Sequence, residues 1–220
     1  MPYKGLRPFK GRFFMAIATV AILLLGGAEL KAQKRSVRTF DATTLTKLEI
    51  DAEKIFEVIL EESAGDLLQA EVAIEGEYQQ EMTLGVKTEG STLFLRGLFL
   101  PTFEDPNDKL SAHKVLSVRL KLKVPRHLMV SLAGLSTRVV ATGYFEDLQL
   151  RTAKGPVVLN RPEGMIHVRT TGGMIKASQC AGFVSATSSY GHVYRGALPE
   201  GRSTLILRSV SGDIYMNKHE

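Results

Sequence analysis

The clearest pattern of hydrophobic and polar positions in this chain has a period of nine residues. Each period opens on a glycine, and the first four continue with two apolar residues that are separated by one position, whereas the fifth has Val193 and then Arg195. The glycines are Gly155, Gly164, Gly173, Gly182 and Gly191, and the first residues of the apolar pairs are Val157, Ile166, Ile175, Val184 and Val193. Because alternate residues of a strand face the same side, each apolar pair predicts one short strand with an inward face.

The same pattern returns after an interruption at Leu198–Ser203, with Leu205 and Leu207 and then with Ile214 and Met216. Two units of about nine residues make a coil of eighteen with two faces, which predicts a β-solenoid or β-roll. Glycine suits the corners because it adopts positive φ without a Cβ penalty. One edge is expected to contain Gly155, Gly173 and Gly191, and the other Gly164 and Gly182. One inward ladder is expected to contain Val157, Ile175 and Val193.

The chain before the repeat also alternates as strands do. In residues 118–124 (VRLKLKV), four apolar residues alternate with three basic ones, and Pro125 ends the strand. No stretch beyond residue 33 has a helical period. We therefore predict an all-β domain over residues 45–220, with irregular coils or a cap over 45–124 and regular coils over 125–220.

Two segments lack this alternation. Residues 33–44 are polar and are expected to form an extended arm. The segment Pro101–Lys114 contains two prolines and three acidic residues, which is typical of a solvated, mobile loop between strands.

Residues 1–32 have the organisation of a signal peptide. Four basic residues precede an apolar run, Phe13–Leu25, and Leu30-Lys31-Ala32 offers a cleavage site before Gln33. The run of thirteen is short for a membrane span, which needs about 20 residues. We expect an exported protein of the periplasm or cell surface, not membrane-spanning once mature; an uncleaved anchor is the alternative.

The basic balance of the full chain, +5, comes from this segment. Residues 1–32 hold five of the 28 basic and one of the 23 acidic residues, which leaves 23 basic and 22 acidic residues and a net charge of +1. Nucleic acid is therefore not an expected partner. The one cysteine, Cys180, precludes an intramolecular disulfide and is expected to be a packed residue, not a nucleophile.

The repeat offers little catalytic chemistry. Its acidic residues are Glu163, Glu200 and Asp213, all beside probable corners, whereas glycoside hydrolysis needs two carboxylates across one bond. His167 and His192 are expected on opposite sheets and so cannot share a metal ion. We expect no enzymatic activity, no cofactor and no metal, calcium included.

Two sets of outward residues are candidates for binding a ligand. Arg151, Arg169 and Arg208 are expected in one column on successive coils, with Thr187 in the same phase. A second set of large residues directly follows the glycines, and its members are Met165, Met174 and Phe183, with Tyr194 and Tyr215 farther along. The arginines suit an anionic polysaccharide, and the apolar row suits a sugar or an envelope protein.

Several segments resemble the bacterial putative adhesin family, which is related to the head GIN domain. They are Leu205–Ile214 (LILRSVSGDI), Val168–Ile175 (VRTTGGMI) and Val184–Val193 (VSATSSYGHV), and each places a Ser/Thr-rich turn and a glycine between apolar strands. The resemblance covers about residues 45–218 and implies a cell-envelope β-solenoid without known catalytic residues. The chain departs from the pattern at Lys154-Gly155-Pro156 and at the Leu198–Ser203 insertion.

These observations predict a non-catalytic adhesion or scaffold module at a bacterial cell envelope. An envelope sensor or regulatory domain that binds one protein partner through its flat sheet is the first alternative. A carbohydrate-active enzyme on a β-helix is the second.

Overall fold

The computed structural model describes residues 34–76, 80–101 and 116–217, which contain fifteen strands and no helix. The predicted signal peptide and residues 102–114 of the predicted loop lie outside the described residues. The strands are β1 (Lys34–Asp41), β2 (Lys47–Asp51), β3 (Glu57–Ser63), β4 (Leu67–Gly76), β5 (Met82–Glu89), β6 (Thr92–Phe99), β7 (Leu116–Pro125), β8 (Met129–Gly134), β9 (Arg138–Thr152), β10 (Val157–Thr170), β11 (Ile175–Ser178), β12 (Phe183–Ser188), β13 (Val193–Arg195), β14 (Thr204–Ser209) and β15 (Ile214–Met216).

The alternating apolar residues form the core, as the sequence predicts. Val157, Leu159 and Ile175 are each fully buried, whereas their immediate neighbours along the chain are more exposed. The same alternation buries Leu48 and Ile50 in β2 and Leu120 and Leu122 in β7. The prediction of an all-β fold is confirmed, and so is the inward phase of the apolar pairs.

The strands form one mixed sheet with two branches that share the long strands β9 and β10. The first branch has the order β1-β4-β7-β3-β9-β10-β11-β15-β13, and the second has the order β5-β6-β2-β8-β9-β10-β14-β12. Pairs in the middle of both branches are parallel, whereas β1–β4, β4–β7 and β5–β6 are antiparallel. The sheet is therefore not a uniform repeat along its whole length.

The order of the strands in space differs from their order in the chain. Ile175 pairs with Val157 on one side, as expected, but its other partner is Ile214. Val193 pairs with Ile214 on the far side, so Val157, Ile175 and Val193 share one ladder as expected, but Ile214 lies between its last two members. Residues 196–203, which include the insertion, are long enough to lead the chain back from β13. As a result, β14 lies between β10 and β12, and β15 lies between β11 and β13.

The glycines at both edges allow the backbones of neighbouring turns to approach closely. At Gly155, a Cβ would lie 1.8 Å from the carbonyl oxygen of Thr137, and at Gly164 it would lie 1.9 Å from that of Phe145. At Gly164, φ is also 95°, a left-handed value that glycine tolerates best. Close stacking thus explains the glycines at both edges, and positive φ is a second reason for glycine at position 164. Gly173 follows Gly155 along its edge, and Gly212, not Gly191, is next.

Residues 34–41, part of the expected polar arm, form the edge strand β1. This strand pairs with β4, and its side chains also reach β5. The Lys34 ammonium donates to the carbonyl of Met82 (3.2 Å), and the Arg38 guanidinium donates to that of Leu84 (3.3 Å). Side chains of β1 therefore occupy carbonyls of β5, an end strand of the second branch.

Candidate functional site

The three arginines expected in one column lie on neighbouring strands. Arg169 in β10 pairs with Arg151 in β9 on one side and with Arg208 in β14 on the other. All three side chains are exposed. Since neighbouring strands lie about 4.8 Å apart, the column spans about 10 Å from its first to its last Cα. Thr187 follows Arg208, so the insertion of β14 makes the arginines consecutive.

Hydrogen bonds in the turns after these strands fix the backbone next to the arginines. Each arginine is directly followed by a buried residue with a hydroxyl group, namely Thr152, Thr170 or Ser209. The hydroxyl of Thr152 donates to the carbonyl of Gly155, and that of Thr170 donates to the carbonyl of Gly173, each at 2.8 Å. The Thr170 hydroxyl also lies 3.0 Å from that of Ser209 and donates to it. These bonds fix the backbone that carries the arginines.

Within the described residues, none of the three guanidinium groups has an ion-pair partner at 4.0 Å or less. Asp51 occupies the same column, but Ala133 separates it from Arg151, so its strand lies about 10 Å away. By contrast, Arg119 and Arg138 both pair with Glu57, at 2.7 and 3.1 Å. The column is therefore a local excess of positive charge on the outer face.

Two shallow depressions border the column. One, of about 300 Å³, is lined by Gln149, His167 and Ile206 together with the arginines. The other, of about 470 Å³, is lined by Arg151 and Arg169 but also by the acidic residues Asp51 and Glu53. Guanidinium groups donate several hydrogen bonds in one plane and match carboxylate, sulfate or phosphate groups. The first depression, which all three arginines line without an acidic residue, therefore suits an anionic ligand.

The expected apolar row is split between the two branches. Met165 and Phe183 lie in one column, on either side of Thr204. Met174 lies on the other branch, where its carbonyl accepts from the amide of Val157, so the prediction of one row containing all three is wrong. Units nine residues apart fall on alternate branches, which is why only residues eighteen apart share a column. Tyr194 and Tyr215 stack on the branch of Met174, with ring centroids 4.7 Å apart.

Met129 extends the column of Met165 and was missed in the sequence. It pairs with Asp147 in β9, which pairs in turn with Met165. One oxygen of Asp147 is buried without a hydrogen-bond partner in the described structure, and the other accepts from Gln149 at 3.1 Å. The offset of two eighteen-residue coils between Met129 and Met165 was a usable signal, but no glycine marks the turn before β8.

A separate charged cluster surrounds Glu62. Its carboxylate accepts a short hydrogen bond from the amide of Tyr144 and one of 2.9 Å from Arg126, whose guanidinium also lies over the Tyr144 ring. The backbone bond from Tyr144, with help from Arg126, lowers the pKa of Glu62. Glu163 lines the same depression, of about 350 Å³. A carboxyl held ionised in this way suits a structural ion pair, not a general acid.

The remaining candidates have structural environments. Cys180 is buried, which raises the pKa of its thiol, and its backbone is held by Asn217. His167 and His192 lie on different branches, and no group of three metal-ligating side chains occurs among the described residues. The part of the chain that the structure describes contains no helix that could cross a membrane.

No family model matches the sequence, and no curated protein matches it. A Clostridium sporogenes protein described as a putative cell adhesion protein superposes on the chain with a TM-score of 0.59 at 13% identity, covering 84% of this chain and 99% of that one. The two chains share a fold. A putative adhesin from Bacteroides fragilis covers 84% of this chain and 98% of its own, at 11% identity, with a TM-score of only 0.33.

Proposed function

We propose that this chain is an exported, non-catalytic β-solenoid that acts as an adhesion or scaffold module at a bacterial cell envelope. Its outer face would bind an anionic polysaccharide through Arg151, Arg169 and Arg208. The observation that carries the proposal is the run of three exposed arginines on consecutive strands without an ion-pair partner in the described structure. Weak contacts of this kind add along a polymer because each bound group raises the effective concentration of the next.

Register supports the solenoid description. Parallel partners in the middle of the sheet are eighteen residues apart, as in Val139 with Val157 and Leu148 with Ile166. Eighteen residues of the chain therefore add one strand to each branch, as one coil of a solenoid does. The antiparallel strands β1, β4 and β5 would then form the irregular cap.

Adhesion and export rest on two further observations. The Clostridium sporogenes protein that shares this fold is described as a putative cell adhesion protein. Residues 1–32 have the basic, apolar and small-residue regions of an export signal. These two observations together support a location in the periplasm or on the cell surface.

Three carboxyl groups are unsuited to the role of a catalytic acid. Asp41, Glu62 and Asp213 have pKa values lowered mainly by backbone hydrogen bonds. A general acid of a glycosidase needs the opposite shift, so none of these three fits that role.

Chromatography on an immobilised anionic polysaccharide tests this function. We expect the wild type to be retained at low salt and released as salt screens the arginines. The triple variant Arg151→Gln, Arg169→Gln and Arg208→Gln should elute much earlier. A matched variant with Lys87, Lys123 and Arg202 changed to Gln loses the same charge elsewhere and should elute close to the wild type. Equal elution of the two variants would contradict the proposal, as would a wild type that is not retained.

One observation favours the sensor or regulatory alternative. Met129, Met165 and Phe183 expose 41, 47 and 65% of their surface in one column on the same face. Asp147 and Thr204 alternate with these three side chains along the column. Exposed apolar side chains grouped in this way, with polar residues between them, suit a protein partner. Binding that persists at high salt and is lost in Met165→Asp, but not in the triple arginine variant, would favour this alternative.

A further inference from the structure

The two branches of the sheet end at β12 and β13. Among the described strands, each of these pairs with one neighbour: β12 with β14, and β13 with β15. We call the outer side of β12 and β13 the terminal edge. It is formed by residues 183–188 and 193–195, all of which the structure describes.

The hydrogen bonds of β12 show which of its backbone groups face this edge. The amide of Phe183 donates to Ser203 and that of Ser189 to Ser209, both toward β14 and its flanks. In a parallel ladder, alternate residues bond to the same neighbour, so Val184 and Ala186 direct their backbone groups away from β14. Arg195 supports this phase because its guanidinium donates to the carbonyl of Ala186 at 3.2 Å.

The connection after β13 covers only the beginning of this edge. The carbonyl of Pro199 accepts from the amide of Gly182 at 2.9 Å. Beyond that point, the amides of Val184 and Ala186 face outward without a paired strand in the described structure.

The opposite end of the sheet is protected. Lys34 and Arg38 of β1 already bond to the carbonyls of Met82 and Leu84 in β5. The sequence of β1 (KRSVRTFD) also contains three basic residues, whereas that of β12 (FVSATS) contains no charge and no proline. Charged residues and proline are the usual means of preventing edge-to-edge pairing. The sequence of β12 has neither, and in the described structure its protection is limited to the bond from Arg195 of β13 to the carbonyl of Ala186.

We propose that β12 and β13 pair with the same strands of a second copy of this chain. The pairing would be antiparallel about a two-fold axis perpendicular to both branches, so that each branch continues into the partner. A second copy fits because it offers the same outward groups of alternate residues at the same spacing, without charge repulsion along β12. Head-to-tail stacking is disfavoured because β1 at the opposite end carries three basic residues and two carbonyls of β5 are occupied there. On the terminal edge, Arg195 has to release the carbonyl of Ala186 before that group can pair.

Sedimentation of the purified protein over a concentration series tests the proposal. We expect a dimer that dissociates on dilution. The double variant Ser185→Lys and Thr187→Lys should be monomeric because it places like charges opposite each other across the axis. The control Ser131→Lys and Ala133→Lys carries the same change in the same two columns of the interior strand β8, and it should still dimerise. A monomeric wild type, or a dimer that survives the edge lysines, would overturn the proposal.

Hydrogen exchange of the wild type gives a second test that needs no variant. The amides of Val184 and Ala186 should exchange more slowly as the protein concentration rises. Those of Phe183 and Ser185, which face β14, should be protected at every concentration. Exchange at Val184 and Ala186 that does not depend on concentration would also overturn the proposal.

Discussion

Ile175 pairs in parallel with Ile214, a residue 39 positions later in the chain, and both side chains are fully buried. Ile175 also pairs with Val157 on its other side, so it packs between two strands of the first branch. A cavity left by truncation of Ile175 would have a paired strand on each side, so it could not be closed by the movement of an edge strand.

We therefore expect Ile175→Ala to lower the free energy of unfolding by about 2–5 kcal/mol. Lys176→Ala, on the outer side of the same strand, should cost much less because it leaves no cavity in the core. Urea denaturation of both variants measures the difference. Equal midpoints would mean that the inward and outward phase has been assigned wrongly.

The order of the strands can be tested by double-mutant cycles. Truncation of Ile175 and Ile214 to alanine should be non-additive, with an interaction energy of about 0.5 kcal/mol or more, because the residues are neighbours. The cycle of Ile175→Ala with Val193→Ala should be closer to additive because Ile214 lies between them. Stronger coupling of Ile175 to Val193 than to Ile214 would favour the order of the chain instead.

Gly155→Ala should destabilise the protein by at least about 2 kcal/mol. The new Cβ would lie 1.8 Å from the carbonyl oxygen of Thr137, so the backbone of one turn would have to move. The control is Gly65→Ala, where a Cβ would meet nothing within 4 Å, and its effect should be no more than about 1 kcal/mol in either direction. Thermal unfolding of the two variants distinguishes stacking from a general effect of losing glycine.

Removal of the carboxylate of Glu62 should have an effect that depends on pH. Its pKa in the folded protein lies below the ordinary value of 4.5, chiefly because the amide of Tyr144 donates to it. Glu62 therefore stabilises the fold above that value, and the contribution is lost as pH falls through the folded pKa. The difference between wild type and Glu62→Gln in free energy of unfolding should shrink as the pH falls below 4.5. A difference that stays constant through this range would contradict the assignment, and exposed Glu200→Gln serves as the control.

Processing of the N-terminus is also open to measurement. Cleavage after Ala32 should leave Gln33, free or cyclised, as the first residue of the exported protein. Intact-mass measurement of protein recovered from the envelope checks this. A mass that includes Phe13–Leu25 would favour the anchored alternative.

The local pattern was sufficient to predict strands, turns and the inward face, because burial of Val157 or Ile175 depends on alternation within a few residues. It could not predict which coils are neighbours. Coils with the same pattern pair equally well, so the pattern alone does not place Ile214 ahead of Val193 beside Ile175. In the sequence, only the long connection after β13 indicated an interruption of the regular order of the coils.

The candidate site was predictable to the same extent. Alternation placed Arg151 and Arg169 in one phase, and the eighteen-residue offset put them on adjacent strands. Arg208 lies next to Arg169 because β14 is inserted between β10 and β12, and no local pattern in the sequence indicates this insertion. Met174 was misplaced because its nine-residue distance from Met165 puts it on the other branch.

The insertion of β14 and β15 also determines when the domain can be completed. The strands β12 and β13 are synthesised before residues 204–216, yet those later residues provide their strand partners in the described structure. A chain emerging from the ribosome or a translocation channel can order its earlier coils one after another. It cannot fix β12 and β13 until residues 204–216 have also emerged, so the pairing of these two strands lags behind their synthesis.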